Sequence, residues 1–192
     1  MTGPFAPPAI FTMSSTFLAF SGVVRPARFM ASYTFDSIGV KDPRDTNHGV
    51  DLRSVEVDHG TDDIRIVTTH TNLRRSFRSG SSGAVYLDTD PARRGPEHVF
   101  VGGYFVGTDY ALLKTDGFGS HNWGRRVKGS YDLSLDFADE QVRMRVATTT
   151  LGSPERVRVA VRVAGTRSDG TSNGLVDWLG APRSFTDWVA SS

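Results

Sequence analysis

The chain contains no cysteine, which excludes disulfide staples, thiol nucleophiles and cysteine-ligated zinc, while leaving the compartment open. Lysine is almost as scarce: Lys41, Lys114 and Lys128 are the only lysines among 22 basic residues, and the rest are arginine. Charge of one sign is not in excess either. The 22 basic residues stand against 21 acidic ones, a formal net charge of +1, so there is no global attraction to a polyanion and nucleic acid is not an expected partner. No stretch keeps a 3.6-residue apolar period, and the best helical candidates are a turn or two at 72–77 or 175–179. A parallel architecture with helical crossovers is therefore not expected. Catalytic signatures are missing as well. Ser81 and Ser82 lack a nucleophile-elbow context. Gly102-Gly103 and Gly117-Phe118-Gly119 lack the following helix that lets a glycine loop hold phosphate.

What is there is punctuation and alternation. With 20 Gly and 9 Pro among short runs of Val, Thr, Phe and Tyr, the composition is that of an all-β protein. The clearest signal lies in Gln141–Val163: Val142, Met144 and Val146, then Val157, Val159, Val161 and Val163, recur at a period of two on either side of a Leu-Gly-Ser-Pro turn. That spacing predicts two strands, read as a hairpin with one buried and one solvated face. Further strands are expected near 33–37, 50–58, 63–71, 84–89, 97–106, 109–115, 131–137 and 184–189. His59-Gly60-Thr61-Asp62 should turn one strand back on the next. The runs at 79–83 and 166–174 read as flexible loops. The expected fold is a two-sheet antiparallel β-sandwich, of jelly-roll or immunoglobulin-like type, with few or no helices.

Two regions differ in character. Residues 1–32 form a poorly defined segment whose apolar stretch, Ala9–Val24, has no basic residue before it. At about 16 residues it is shorter than the roughly 20 of a membrane span, so no transmembrane anchor is predicted. A degenerate export signal, a tail and a first packed element all remain readings of it, and export is the expectation adopted. Residues 33–192 are expected to form a single domain, long enough for one sizeable core.

Candidate sites come from three residue groups. Asp42, Asp45 and Asn47 in KDPRDTN, with Asp88 and Asp90 in YLDTDP, place oxygen ligands at the short spacings a loop-stapling calcium ion uses, although the same residues also make turns. Tyr104, Tyr110 and Trp123 lie in a glycine-rich, aromatic middle region and are the ligand-contact candidates, with Trp123 foremost because Asn122 and Gly124 flank it. Arg143, Arg145, Arg156, Arg158 and Arg162 fall opposite the apolar face of the predicted hairpin. They could grip an anion through forked donors, or pair with Asp132, Asp136, Asp139 and Glu140. His48, His59, His70, His98 and His121 show no metal-binding spacing.

Five segments together carry a resemblance: DPRDTNHGVDLRSVEVDHG, IRIVTTHTNLRR, YLDTDPARRGPE, LGSPERVRVAVRV and DWLGAPRSFTDWV. They resemble a group of uncharacterised, mostly exported actinobacterial β-sandwich proteins, which are distantly similar to DOMON-like and carbohydrate-binding modules. The resemblance implies a sandwich fold and a location outside the cell, and brings no established activity. It also implies a cysteine pair flanking the strand before the LG-x-P turn. Here Gly129 and Thr150 occupy about those positions.

The functional expectation is a non-catalytic module, secreted or at the cell surface, that binds a glycan or other surface polymer. One alternative is a metal-assisted hydrolase combining Asp42, Asp45, Asp88 and Asp90 with His48 or His98. Another is a polyanion binder that uses the arginine face.

Overall fold

The computed structural model describes residues 36–165 and 175–192. These residues carry twelve strands: β1 Asp36–Lys41, β2 Leu52–His59, β3 Asp63–His70, β4 Ser81–Asp88, β5 His98–Tyr104, β6 Tyr110–Thr115, β7 Trp123–Arg126, β8 Tyr131–Asp136, β9 Gln141–Ala147, β10 Arg156–Gly165, β11 Leu175–Trp178 and β12 Val189–Ala190. The only helical pieces among them are short 3₁₀ turns at Ser120–Asn122 and Thr148–Leu151. The strands form two antiparallel sheets, in the orders β1-β2-β3-β9-β8 and β11-β10-β4-β5-β6-β7, with β12 added along β10. This is the two-sheet sandwich that the strand pattern led one to expect.

Side-chain alternation explains how the sheets find each other. Val55 and Val57 on β2, Ile64 and Ile66 on β3, and Val142, Met144 and Val146 on β9 form the inner face of the first sheet. Val85 and Leu87 on β4, Phe100 on β5 and Val157, Val159, Val161 and Val163 on β10 form the inner face of the second. All are essentially inaccessible to solvent and pack in one cluster, each contributing about 1.5–3 kcal/mol through burial. The His59–Asp62 turn joins β2 to β3 as expected, with Gly60 N–H donating to the Asp63 carbonyl at 2.9 Å.

The reading of Gln141–Val163 needs one correction. Its two strands are not hairpin partners: β9 pairs with β3 and β8, whereas β10 pairs with β4, β11 and β12. The 3₁₀ turn Thr148–Leu151 and the left-handed residues Gly152 (φ 87°) and Ser153 (φ 51°) carry the chain from one sheet to the other. The two valine rows therefore meet across the core, not side by side in one sheet. A period of two reports which face is buried and is silent on the partner.

The serine- and glycine-rich run at 79–83 is a second correction, because Ser81, Ser82 and Gly83 are the first residues of β4, between β5 and β10. Gly83 is needed there for lack of a side chain: a Cβ would sit 1.7 Å from Tyr104 Oη. β7 and β11 were not anticipated, and Val189–Ala190 is the strand part of the run expected at 184–189. Helical turns at 72–77 and 175–179 are replaced by bends and by β11. The readings of residues 1–32, of the strand start at 33–35 and of the loop at 166–174 fall outside the described residues. Gly129 and Thr150 are neighbours, since a Cβ on Gly129 would lie 2.9 Å from Thr150 Cβ and Ser130 N–H donates to Thr150 Oγ1 at 3.1 Å.

Candidate functional site

The outer face of the second sheet builds its own aromatic cluster. On β4 and β10, small Ala84 and Ala160 alternate outward with Tyr86 and Arg162, so the sheet surface is hollow beside a tall ring. Tyr86 stacks nearly parallel to Trp178 of β11, with centroids 6.1 Å apart, and meets Phe118 at 5.0 Å. Phe118 in turn contacts Trp178 at 6.0 Å and Phe185 at 5.3 Å. The Tyr86 hydroxyl donates to the Phe118 carbonyl at 3.1 Å, pinning the β6–β7 connection over the sheet.

A pocket of about 500 Å³ opens beside this cluster, within the size range of small-molecule sites. Tyr86, Phe118, Trp123, Trp178 and Val176 supply its apolar lining, and Ser120, His121, Arg162 and Arg183 its polar lining. Trp123 and Trp178 are half-buried, each keeping part of its surface toward solvent. The Trp123 indole N–H is buried beside the Tyr86 hydroxyl without completing a hydrogen bond. Burial raises the Tyr86 hydroxyl pKa, and the positive charges of Arg162 and Arg183 partly offset that shift. Among the described residues, no carboxylate lines the pocket.

The three aromatic candidates from the sequence do not converge. Trp123 lies in this pocket. Tyr104 does not: it is 0% exposed in the inter-sheet core, edge-on to His70 at 5.3 Å, so it cannot contact a ligand. Burial lifts its hydroxyl far above the usual tyrosine range. Tyr110 borders the core instead, stacked on Phe100 at 5.9 Å, with its hydroxyl donating to Asp132 at 3.3 Å. It lines a separate, shallower depression with Arg126. Tyr86, Phe118, Trp178 and Arg183 were not among the candidate site residues read from the sequence, and Arg162 was read there only as a member of the arginine row. For Tyr86 a signal existed, because Val85 and Leu87 point inward and alternation sends the ring between them outward.

The predicted calcium ligands divide into two places. Asp45 joins Asp51 and Asp177, which had not been considered, in a group whose oxygens lie within 4.8 Å of one another. Such a trio could hold a divalent cation. Its oxygens also fasten loops: Asp51 Oδ1 accepts from Asp45 N–H at 2.8 Å and Thr46 N–H at 3.0 Å, and its Oδ2 accepts from the Thr71 hydroxyl. Asp177 accepts from Leu52 N–H at 2.8 Å, and Asp42 accepts from Gly180 N–H at 2.8 Å. Burial, above all, raises the Asp177 pKa to about 6, and the charges of Asp45 and Asp42 add to the shift. Burial and the hydrogen bond with Asp51 likewise raise that of Asp45. Asp51 is also penalised by burial, but its hydrogen bonds bring it below the ordinary value. Asn47 borders this loop, its side chain held by Arg44 and its carbonyl by Asn72 Nδ2 at 3.1 Å.

Asp88 and Asp90 belong elsewhere. Ser81 at the start of β4 abuts the Gly49 loop, whereas Asp88 ends that strand, roughly 23 Å further on. Its carboxylate is fully buried, and Oδ2 accepts from Arg158 Nε at 2.9 Å and Nη2 at 2.7 Å. Asp90 closes the following turn, accepting from Ala92 N–H at 2.9 Å. One ion cannot be shared between Asp42/Asp45 and Asp88/Asp90, so the five residues do not form a single metal site.

The arginine row divides in the same way. Arg143 and Arg145 lie on the outer face of the first sheet, paired with Asp136 and Asp139 and with Asp63 respectively. Arg158 and Arg162 lie on the outer face of the second, and Arg158 is sandwiched between Phe185 (4.6 Å) and Trp188 (4.5 Å). The histidines named for hydrolysis are engaged away from carboxylates. His98 Nε2 faces Lys114 Nζ at 2.6 Å, and burial and that charge lower its pKa to about 4. His48 Nδ1 accepts from Val50 N–H at 3.3 Å, and burial lowers its pKa. No helix among the described residues is long and apolar enough to cross a membrane. In comparison with known proteins, the chain matches no family model and no curated protein.

Proposed function

We propose that this protein is a non-catalytic binding module, working outside the cell or at its surface, that takes a saccharide in the aromatic pocket on the outer face of the second sheet. The observation that carries this reading is the pairing of two half-exposed tryptophans, Trp123 and Trp178, around a pocket of about 500 Å³ whose floor is the buried ring of Tyr86. The C–H face of a sugar ring packs well on an indole through dispersion and the ring's negative face, while hydroxyls at its edge reach polar neighbours. Ser120 and His121 in the lining are placed for that second role. The lining favours binding over catalysis, because among the described residues His121 has no carboxylate beside it in the pocket to share general acid–base work. Contact between Gly129 and Thr150, where the resembling proteins carry a cysteine pair, supports kinship with that exported group.

A glycan array probed with the intact protein and with Trp178→Ala tests the reading. Binding by the parent protein to a restricted set of glycans, lost in a variant that remains folded by circular dichroism, is the expected result. Silence of the parent protein across the array, or binding that survives Trp178→Ala, would remove it.

A further inference from the structure

We infer that the sugar taken by this pocket is acidic, a ring bearing a carboxylate such as a uronate, held by Arg162 and Arg183. The inference rests on the saccharide reading above and adds the charge of the ligand. Its basis is an imbalance in the lining. A neutral sugar offers hydroxyls that both donate and accept, and a site for it would include carboxylate or amide acceptors. Among the described residues this pocket has no carboxylate and no amide side chain, and its polar side chains are two guanidinium groups, an imidazole and the Ser120 hydroxyl.

Among the described residues, neither Arg162 nor Arg183 has a carboxylate within ion-pair distance, and the pocket lining is where the two guanidinium groups come together. Arg162 stands directly opposite Trp178 in the β10–β11 register, so a ring lying on that indole would bring its edge to the guanidinium. On the same strand face its outward neighbours are Ala160 and Ala164, which leave the head group free of side-chain crowding. Arg183 reaches the pocket from the turn after β11, where its own φ of 65° and that of Gly180 fold the chain back. Planar forked donors match a carboxylate better than a hydroxyl, and they act most strongly where apolar walls exclude water.

Isothermal titration with oligomers of glucuronate and galacturonate, beside glucose and galactose oligomers of equal length, tests the assignment. The acidic oligomers should bind at least tenfold more tightly, and the preference should shrink as salt is raised. Arg183→Gln, at an exposed turn where folding is not at stake, and Arg162→Gln should each bring the acidic ligand toward the neutral one. Trp178→Ala should abolish both. Neutral oligomers binding as well as acidic ones, still through Trp178, would overturn the acidic assignment and leave the saccharide reading intact. No binding by either set would overturn both. Equal displacement by inorganic sulfate at the same concentration would show a bare anion site and would also count against a sugar.

Discussion

Replacing Asp88 by Asn should destabilise the fold by about 2–3 kcal/mol, and by the same amount with or without calcium. The carboxylate is 0% exposed, while its partner Arg158 keeps 29% of its side chain accessible. The substitution removes two charge-assisted hydrogen bonds to Oδ2, each a stronger bond than a neutral one. It leaves a guanidinium between Phe185 and Trp188 without its counter-charge. Breaking a fully buried pair costs about 3–5 kcal/mol; partial solvation of Arg158 and its aromatic sandwich hold the cost below that range. For a domain of this size the loss corresponds to a fall in Tm of about 5–10 °C. Arg158→Leu should cost more, since it strands the fully buried anion, and the double variant Asp88→Asn/Arg158→Leu should recover part of that loss. Urea unfolding of the four proteins, in calcium and in chelator, reads both points. A change below about 0.5 kcal/mol for Asp88→Asn, or a loss seen only in calcium, would refute the assignment of Asp88 to an ion pair.

In chelator, Asp177→Asn should be more stable than the parent by about 1–3 kcal/mol at pH 7 and should lose that advantage by pH 4. The raised Asp177 pKa means that its contribution to stability is fully present below about 3.8 and is lost as pH rises through about 6, and the amide removes that dependence while still accepting from Leu52 N–H. Denaturant midpoints across that window check the sign; a variant weaker than the parent at pH 7 would contradict it. Gly83→Ala should cost about 3 kcal/mol or more by driving a methyl into Tyr104, and Tyr104→Phe should not rescue it, because the ring carbon Cζ would still be 2.1 Å from the new Cβ. Thermal melts of the single and double variants decide this. Arg143→Ala, on the solvated face with Asp136 and Asp139, should change stability by no more than about 1 kcal/mol in the same melts.

The strand pattern made the fold class legible because alternation is a direct record of burial. Val142, Met144 and Val146 and the four valines of β10 are buried as their spacing implies. Pairing partners are a different matter. β9 and β10 read as a hairpin since nothing in their side chains distinguishes a neighbour in the sheet from a row facing it across the core. β4 begins in a serine–glycine run because its glycine is shaped by Tyr104, more than twenty residues away. The candidate site was legible in Trp123 and, only as a member of the arginine row, in Arg162. Its other walls come from β4, β10, β11 and the turn beyond, distant stretches that only the sheet order brings together. Asp51 and Asp177 were missed for the same reason, since Asp177 meets the loop before β2 through the Leu52 amide 125 residues away.

The three indoles offer the most direct test of a saccharide in the aromatic pocket, because Trp123 and Trp178 line it and Trp188, which packs on Arg156 and Arg158, does not. A ¹H–¹⁵N spectrum resolves their three side-chain N–H signals. Titration with uronate oligomers should shift the Trp123 and Trp178 signals together and saturably, with Trp188 unmoved. Three unmoved signals, or a shift confined to Trp188, would contradict the pocket as the site.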